Sequence, residues 1–269
     1  MVRAAERERE PGHGPRPPSM MPISLSVVVP ALNEERALAG VLTGLCEALS
    51  RTGSDWEIIV VNDGSTDRTG EIAMSLAATD PHIRVLHHAH PAGIGFSFRH
   101  GASVATKEAV TWVPGDGQND LADVLKYLPL LEHVDIILPF ALNTGVRSWG
   151  RRLLSTLYLW IINLSFGISF TYTNGTAAYR RRLFDVVTLS STGFFFSTEC
   201  LIKGIRAGLI FAEVPVRLHD RSGGRSHAMS LRSFVTVVRD FIRLFVAVHV
   251  LRTAGRVGEP STGSLRGPG

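Results

Sequence analysis

Residues Val110–Asp120 read VTWVPGDGQND. Val110 to Val113 is a short apolar run of the kind that forms a buried strand. Pro114 stops it, because proline brings no N–H to a sheet ladder. Gly115 and Gly117 then allow a tight turn around Asp116. A carboxylate, with the amide of Gln118 beside it, is thereby held at the C-terminal edge of a strand. In open α/β sheets that edge is where ligands bind.

Upstream, strands and helices alternate. Ser24 to Val29 reads as a first strand, ending in Pro30-Ala31-Leu32-Asn33-Glu34-Glu35. The spacing of Leu38, Val41, Leu42, Leu45 and Leu49 predicts a helix from about Glu34 to Ser50. Trp56 to Val61 is a second strand and runs into Asn62-Asp63-Gly64-Ser65-Thr66-Asp67. A helix from Thr69 to about Ala77 follows. Such a strand–loop–helix suits a phosphate or sugar, although Ser65, Thr66 and Asp67 would equally cap the helix. Ile83 to Leu86 is a third strand, and Ile94 to Thr106 a helix. Beyond Asp120, a helix over Leu121–Tyr127 and a strand over Asp135–Pro139 continue the alternation. The expectation is an α/β fold with a mostly parallel sheet flanked by helices. The first strand–helix turn, PALNEE, has no glycine fingerprint, which argues against a dinucleotide cofactor.

From Leu153 to Tyr172 the chain carries no formal charge. Asn163, Gly167 and several hydroxyls argue against a crossing helix, so this reads as a helix that is buried or faces a membrane. Thr198 to Ala207 reads as a helix carrying Glu199, and Leu209 to Leu218 as an extended segment. Leu231 to Leu251 is a long helix with Arg232, Arg239 and Arg243 on one side and phenylalanines on the other. It fits a membrane interface, packing on its own domain, or packing on a partner subunit. Residues 1–22 and 252–269 read as disordered tails around a domain of residues 23–230 and the helix of residues 231–251.

The formal charge is +4, with arginines clustered at 147–152, 180–182 and 217–232. Such clusters suit a phosphate-bearing ligand or an anionic membrane surface. No nucleic-acid-binding signature accompanies them, so nucleic acid is not an expected partner. Cys46 and Cys200 form no framework and no metal spacing. The N-terminus lacks the apolar core of a signal peptide.

VVVPALNEE, VVNDGSTDRTG, the PGDGQ strand end and EVPVRLHDRSGGRS together resemble family-2 glycosyltransferases with the GT-A fold. The subgroup they resemble is the dolichol- and polyprenyl-phosphate sugar synthases. The resemblance spans roughly Leu25 to Leu251. It implies inverting transfer of a sugar from a nucleotide-diphosphate donor to a polyprenyl phosphate, with Mg2+ or Mn2+ as cofactor. Pro30, Asn33, Glu35, Asp63 and Arg99 would then serve the donor. Asp116 would hold the metal and diphosphate, with Gln118 fixing the loop. Arg147, Arg152, Arg221 and Arg225 would hold the lipid phosphate. Glu199 matches an acid that, in relatives acting on hydroxyls, is the place to look for a base. The implied setting is the cytoplasmic face of a membrane, peripherally bound, with an oligomer possible. The alternatives are transfer to a hydroxyl of a soluble or glycan acceptor and, further off, a nucleotide-sugar binder without catalysis. One departure stands out: the family's Asp-x-Asp is here Pro114-Gly115-Asp116, so the first carboxylate is missing.

Overall fold

The structure is a computed structural model that describes residues 23–117, 121–142, 149–173, 175–216 and 231–251. The tails, Gln118, Arg147, Arg221 and Arg225 lie outside the described residues.

Seven strands form one sheet. They are β1 (Leu25–Ala31), β2 (Trp56–Asn62), β3 (Ile83–His87), β4 (Ala109–Trp112), β5 (Ile136–Ala141), β6 (Ala178–Arg180) and β7 (Phe211–Val216). Their order is β3-β2-β1-β4-β6-β5-β7. All neighbours are parallel except β6, which runs antiparallel to both β4 and β5. Every residue of β1, β2 and β4 is buried, as expected for central strands covered on both faces.

Alternation along the strands sorts the core into two layers. Val27, Val29, Ile58 and Val60 pack under α1 (Leu38–Ser50) and α2 (Thr69–Thr79). Val28, Ile59 and Val61 face the other way, against Phe98 and Ala102 of α3 (Ile94–Ser103). A single slip of register would exchange these two sets.

Short elements depart from the expected pattern. Only Ala122–Leu125 is α-helical (α4) in the expected Leu121–Tyr127 segment, and a 3-10 helix follows at Leu128–Glu132, with Pro129 in its first turn. A one-turn helix, α6 (Leu183–Val186), precedes α7 (Phe196–Arg206). The two long helices are α5 (Trp149–Phe166) and α8 (Leu231–His249). They share a third apolar cluster that includes Ile162, Phe166, Phe195, Leu244 and Val248.

The first helix starts at Leu38 rather than Glu34, and the residues before it are tied to a segment distant in sequence. The N–H groups of Glu34 and Glu35 donate to Thr69 Oγ1 at 2.8 Å and Asp67 Oδ2 at 3.2 Å. Those bonds pull residues 34–37 into a turn toward the β2–α2 loop. Similarly, α3 stops at Ser103, and the N–H of Thr106 donates to the buried Glu57 carboxylate at 2.6 Å.

Candidate active site

Beyond the strand ends the backbone ladder continues across the C-terminal edge. Gly115 N–H donates to the Pro30 carbonyl at 3.0 Å, Asp63 N–H to Ala31 at 2.9 Å, and His88 N–H to Asn62 at 2.9 Å. The ends of β4, β1, β2 and β3 are therefore tied side by side. Gly115 has to be small: a Cβ there would sit 3.1 Å from that of Ala31. Asp116 is half-buried at this edge, next to Gly117 with its positive φ of 72°.

The β1–α1 and β2–α2 loops interlock. Asn33 is the one non-glycine residue with positive φ among the described residues, at 57°. Asparagine tolerates that region better than most residues. Its N–H donates to Ser65 Oγ at 3.0 Å, and its Oδ1 accepts the Thr66 N–H at 2.9 Å. Glu35 Oε2 accepts the Arg68 N–H at 3.2 Å. Asp67 Oδ1 accepts the Thr69 N–H at 3.0 Å and so caps α2 from within its loop.

Asp63 is 3% exposed. Its Oδ1 accepts His88 Nδ1–H at 2.7 Å and Ala92 N–H at 2.9 Å, and its Oδ2 accepts Gly93 N–H at 2.8 Å. Burial works to raise its pKa. The bonds from His88, Ala92 and Gly93 outweigh burial and hold the carboxyl below its ordinary value. His88 Nε2 lies 2.9 Å from His100 Nδ1, which extends the chain to α3. Burial first, then the neighbouring His88, push the His100 pKa down. Asp63 thus organises the whole β3–α3 loop. Sequence reasoning left out His88 and His100, because only the fold brings them beside Asp63.

Arg99 turns away from that edge. Its guanidinium donates to the Leu189 carbonyl at 2.7 Å and sits 4.9 Å from the Phe96 ring centre. Gly93 and Gly95 receive the same 189–195 segment from the other side. Gly95 N–H donates to Thr192 O at 2.8 Å, and a Cβ on Gly93 would lie 2.4 Å from that oxygen.

Glu199 is 1% exposed under the 189–195 segment. Its oxygens accept Ser190 N–H at 3.1 Å, Ser190 Oγ–H at 2.8 Å and Ser191 N–H at 2.8 Å, and Lys203 Nζ is 2.7 Å away. Burial alone would raise its pKa. Lys203 and the Ser191 donors reverse that and keep it ionised below the ordinary range. Arg152 lies exposed on α5. Pro30, Asn33, Glu35, Asp63 and Asp116 therefore share one edge, whereas Arg99 and Glu199 are bonded to the 189–195 segment.

The family model "Glycosyl transferase family 2" matches residues 26–195, which contain the whole of this edge. The chain belongs to glycosyl transferase family 2. As a family-2 enzyme it is an inverting glycosyltransferase that takes its sugar from a nucleotide-diphosphate donor. Polyprenol monophosphomannose synthase of Mycolicibacterium smegmatis is 29% identical over 81% of this chain and 86% of its own length. Undecaprenyl-phosphate mannosyltransferase of Micrococcus luteus is 25% identical over 74% and 85%. Among solved structures, glucosyl-3-phosphoglycerate synthase from Mycobacterium tuberculosis, in complex with Mn2+, uridine diphosphate and phosphoglyceric acid, superposes with a TM-score of 0.61. It is 21% identical over 91% of this chain and 82% of that one, a likeness of fold. Among the described residues, no three His, Cys, Asp or Glu side chains gather as a metal cluster, and no helix is long and apolar enough to cross a membrane.

Proposed function

We propose that this family-2 enzyme moves a sugar from its nucleotide-diphosphate donor onto the phosphate of a polyprenol. The base end of the donor sits against Pro30, Asn33, Glu35 and Asp63, where the interlocked loops form a rigid wall. The diphosphate lies at Asp116. An acceptor phosphate oxygen attacks the anomeric carbon from the opposite side. The new C–O bond forms as the bond to the diphosphate breaks, the electron pair leaves on the nucleotide, and configuration inverts.

A divalent cation fits the chemistry of this edge, since a carboxylate and two phosphates offer the hard oxygens that Mg2+ and Mn2+ prefer. Asp116 would hold it, and when bound it supplies charge neutralisation on the leaving diphosphate. With Pro114 in place of a second acid, Asp116 would be the one carboxylate from this strand end to hold it. Arg147, Arg152, Arg221 and Arg225 are proposed to hold the acceptor phosphate through bidentate guanidinium contacts.

The observation that carries the acceptor class is the occupied state of Glu199. Its two oxygens already serve Ser190, Ser191 and Lys203. A hydroxyl acceptor needs a base to take its proton. A phosphate acceptor is already ionised and needs positioning and charge screening instead. Glu199 is then a positioning residue for the 189–195 segment. The names of the two relatives in sequence point the same way.

A second reading keeps the same donor chemistry with a hydroxyl acceptor on a small soluble molecule. The observation favouring it is the fold shared across 91% of the chain with a phosphoglycerate synthase. Asp116 would then be the remaining candidate base at the edge. The positioning role of Glu199 is tested by Glu199→Gln assayed with polyprenyl phosphate. Transfer per folded molecule within about threefold of wild type is expected. A loss of ~100-fold or more, the range for a missing general base, would contradict the assignment.

A further inference from the structure

Behind Asp63 stands a pair of histidine rings that the chemistry above does not use. The chain carries β3 past its last residue, because His88 N–H donates to the Asn62 carbonyl at 2.9 Å. That brings the His88 ring to the Asp63 carboxylate. On α3, Phe96 and His100 are four residues apart and lie on one face. Both rings close on His88. His88 meets Phe96 edge-on at 5.1 Å between ring centres, and it stacks on His100 at 5.2 Å with 12° between the planes. The side chains of His88 and Asp63 are only 9% and 5% exposed.

The bonds decide where the protons sit. Asp63 accepts Ala92 N–H at 2.9 Å and Gly93 N–H at 2.8 Å, so the carboxyl is ionised and acts as acceptor only. His88 Nδ1, 2.7 Å from Asp63 Oδ1, therefore carries its hydrogen. His88 Nε2 then faces His100 Nδ1 at 2.9 Å, a gap that holds one proton and not two. In the neutral pair His100 donates across it, and the lone pair of His100 Nε2 is the place where a further proton enters. Once added, that proton rests on either ring, since the two titrate as a unit. Burial first, then His88, push the His100 pKa down, which keeps the pair neutral at neutral pH in the free chain.

Few other charges reach these rings. Asp63 faces them from the end of β2. On β3, His87 is held apart by its 3.1 Å contact with Asn62 Nδ2, and His90 is exposed in the loop. On α3, Arg99 lies beyond Phe96 and donates to the Leu189 carbonyl. The 189–195 segment brings no charge. The donor edge itself is acidic, with Glu34, Glu35, Asp63, Asp67 and Asp116, while Arg68 is drawn to Glu71 at 3.4 Å. An anionic donor entering that edge favours a positive charge behind Asp63.

We infer that His88 and His100 form a one-proton relay behind Asp63 that couples donor binding to the uptake of a proton. His88 is a positioning residue: it fixes the Asp63 carboxylate and lends it positive charge when the donor is bound. Because coupling is reciprocal, the donor binds more tightly as pH falls. The inference rests on the placement of the donor base at Asp63.

The test is titration calorimetry of the full chain with UDP-glucose and, separately, GDP-mannose, at fixed Mg2+ and without acceptor. It is run from about pH 8 to about pH 5.5, the range in which imidazole titrates, in buffers of different ionisation heat. The diphosphate of a nucleotide sugar is a diester with no proton to exchange in this range, so uptake reports the protein. Wild type is expected to take up a fraction of a proton and to gain about tenfold in affinity across the range, the change for a proton held about tenfold more tightly in the complex. His88→Asn keeps an N–H for Asp63 but does not titrate. It should bind within about twofold of wild type at the alkaline end and lose the uptake. His88→Ala also loses the bond, and its affinity should fall about tenfold at every pH, as for a hydrogen bond to a charged group. His100→Gln should move the midpoint of the pH dependence. Absence of uptake in wild type would overturn the relay, as would uptake unchanged in His88→Asn or an unmoved midpoint in His100→Gln. Asp63→Asn separates the two claims. If it binds the donor as tightly as wild type, the base lies elsewhere and the reading beneath the relay fails. If it binds weakly while wild type takes up no proton, the relay alone fails.

Discussion

At the scale of the residue, the two acids Asp116 and Glu199 divide the chemistry. Both sit in short sequence contexts that look catalytic, and only their surroundings separate them. Asp116 is half-buried on the ligand edge, after a proline and between two glycines. Asp116→Ala is expected to abolish transfer while leaving the thermal midpoint within a few degrees of wild type. Donor binding should also lose its dependence on Mg2+ or Mn2+, as titration calorimetry would show. Near-normal turnover would mean the diphosphate lies elsewhere. Glu199, fully buried with four donors around it, belongs to stability. Removing it as Glu199→Ala leaves the Ser190 and Ser191 N–H groups unpaired, at a cost of about 1–3 kcal/mol, while Lys203 keeps its bond to the Thr188 carbonyl. Its folded pKa is held below the ordinary 4.5. Its contribution is therefore present above that value and lost as pH falls through the lower, folded one. Acid unfolding followed by circular dichroism should show Glu199→Gln with a shallower pH dependence below about pH 4.5 than wild type. Glu199 and Lys203 are an i,i+4 couple on α7. The contacts of the Ser190 and Ser191 amides were not legible in the sequence, since only the loop's path brings them under the carboxylate.

Elements tell a similar story about what a sequence carries. The strands of the parallel core were legible because both faces are buried and the chain writes that as unbroken runs such as VVV and IIVV. The buried face of α1 was legible from its spacing. That of α8 was not, since Arg239 and Arg243 line the same side as Phe234 and Ile242, and Asp240 is buried. The start of α1 was not, because the bonds that withhold Glu34 and Glu35 from the helix come from Thr69 and Asp67, more than thirty residues away. α6 and the 3-10 helix are too short to leave a period. The antiparallel placement of β6 was hidden for another reason, since strand order is a long-range property that three residues, Ala178–Arg180, do not encode. The β3–α3 loop offers a direct test of how the elements position the edge. Gly93 holds φ at 98°, and a Cβ would meet Thr192 O at 2.4 Å. Gly93→Ala should destabilise by ~2 kcal/mol or more through backbone strain and the clash. It should also weaken donor affinity, because Gly93 N–H is one of the bonds that fix Asp63. A thermal midpoint and donor affinity both unchanged would show that the loop is not held as described.

For the molecule as a whole, two parts are built differently. One is a buried parallel sheet whose loops at the Asp116 edge are tied by hydrogen bonds. The other is two long helices packed on each other with tryptophans and a phenylalanine left exposed. That division was partly legible: the charge pattern and the two apolar stretches were plain in the sequence, but their joining into one face required Phe166, Phe241 and His249 to be seen together. The central claim is that sugar leaves a nucleotide-diphosphate donor for a lipid phosphate. The measurement is partition of label after incubating the enzyme with radiolabelled nucleotide sugars, Mg2+ or Mn2+, and equal amounts of polyprenyl phosphate and 3-phosphoglycerate. The account predicts label in the organic phase, released by mild acid as expected for a glycosyl phosphate. Label found only in the aqueous phase, as a glycosylated phosphoglycerate or other soluble product, would contradict it.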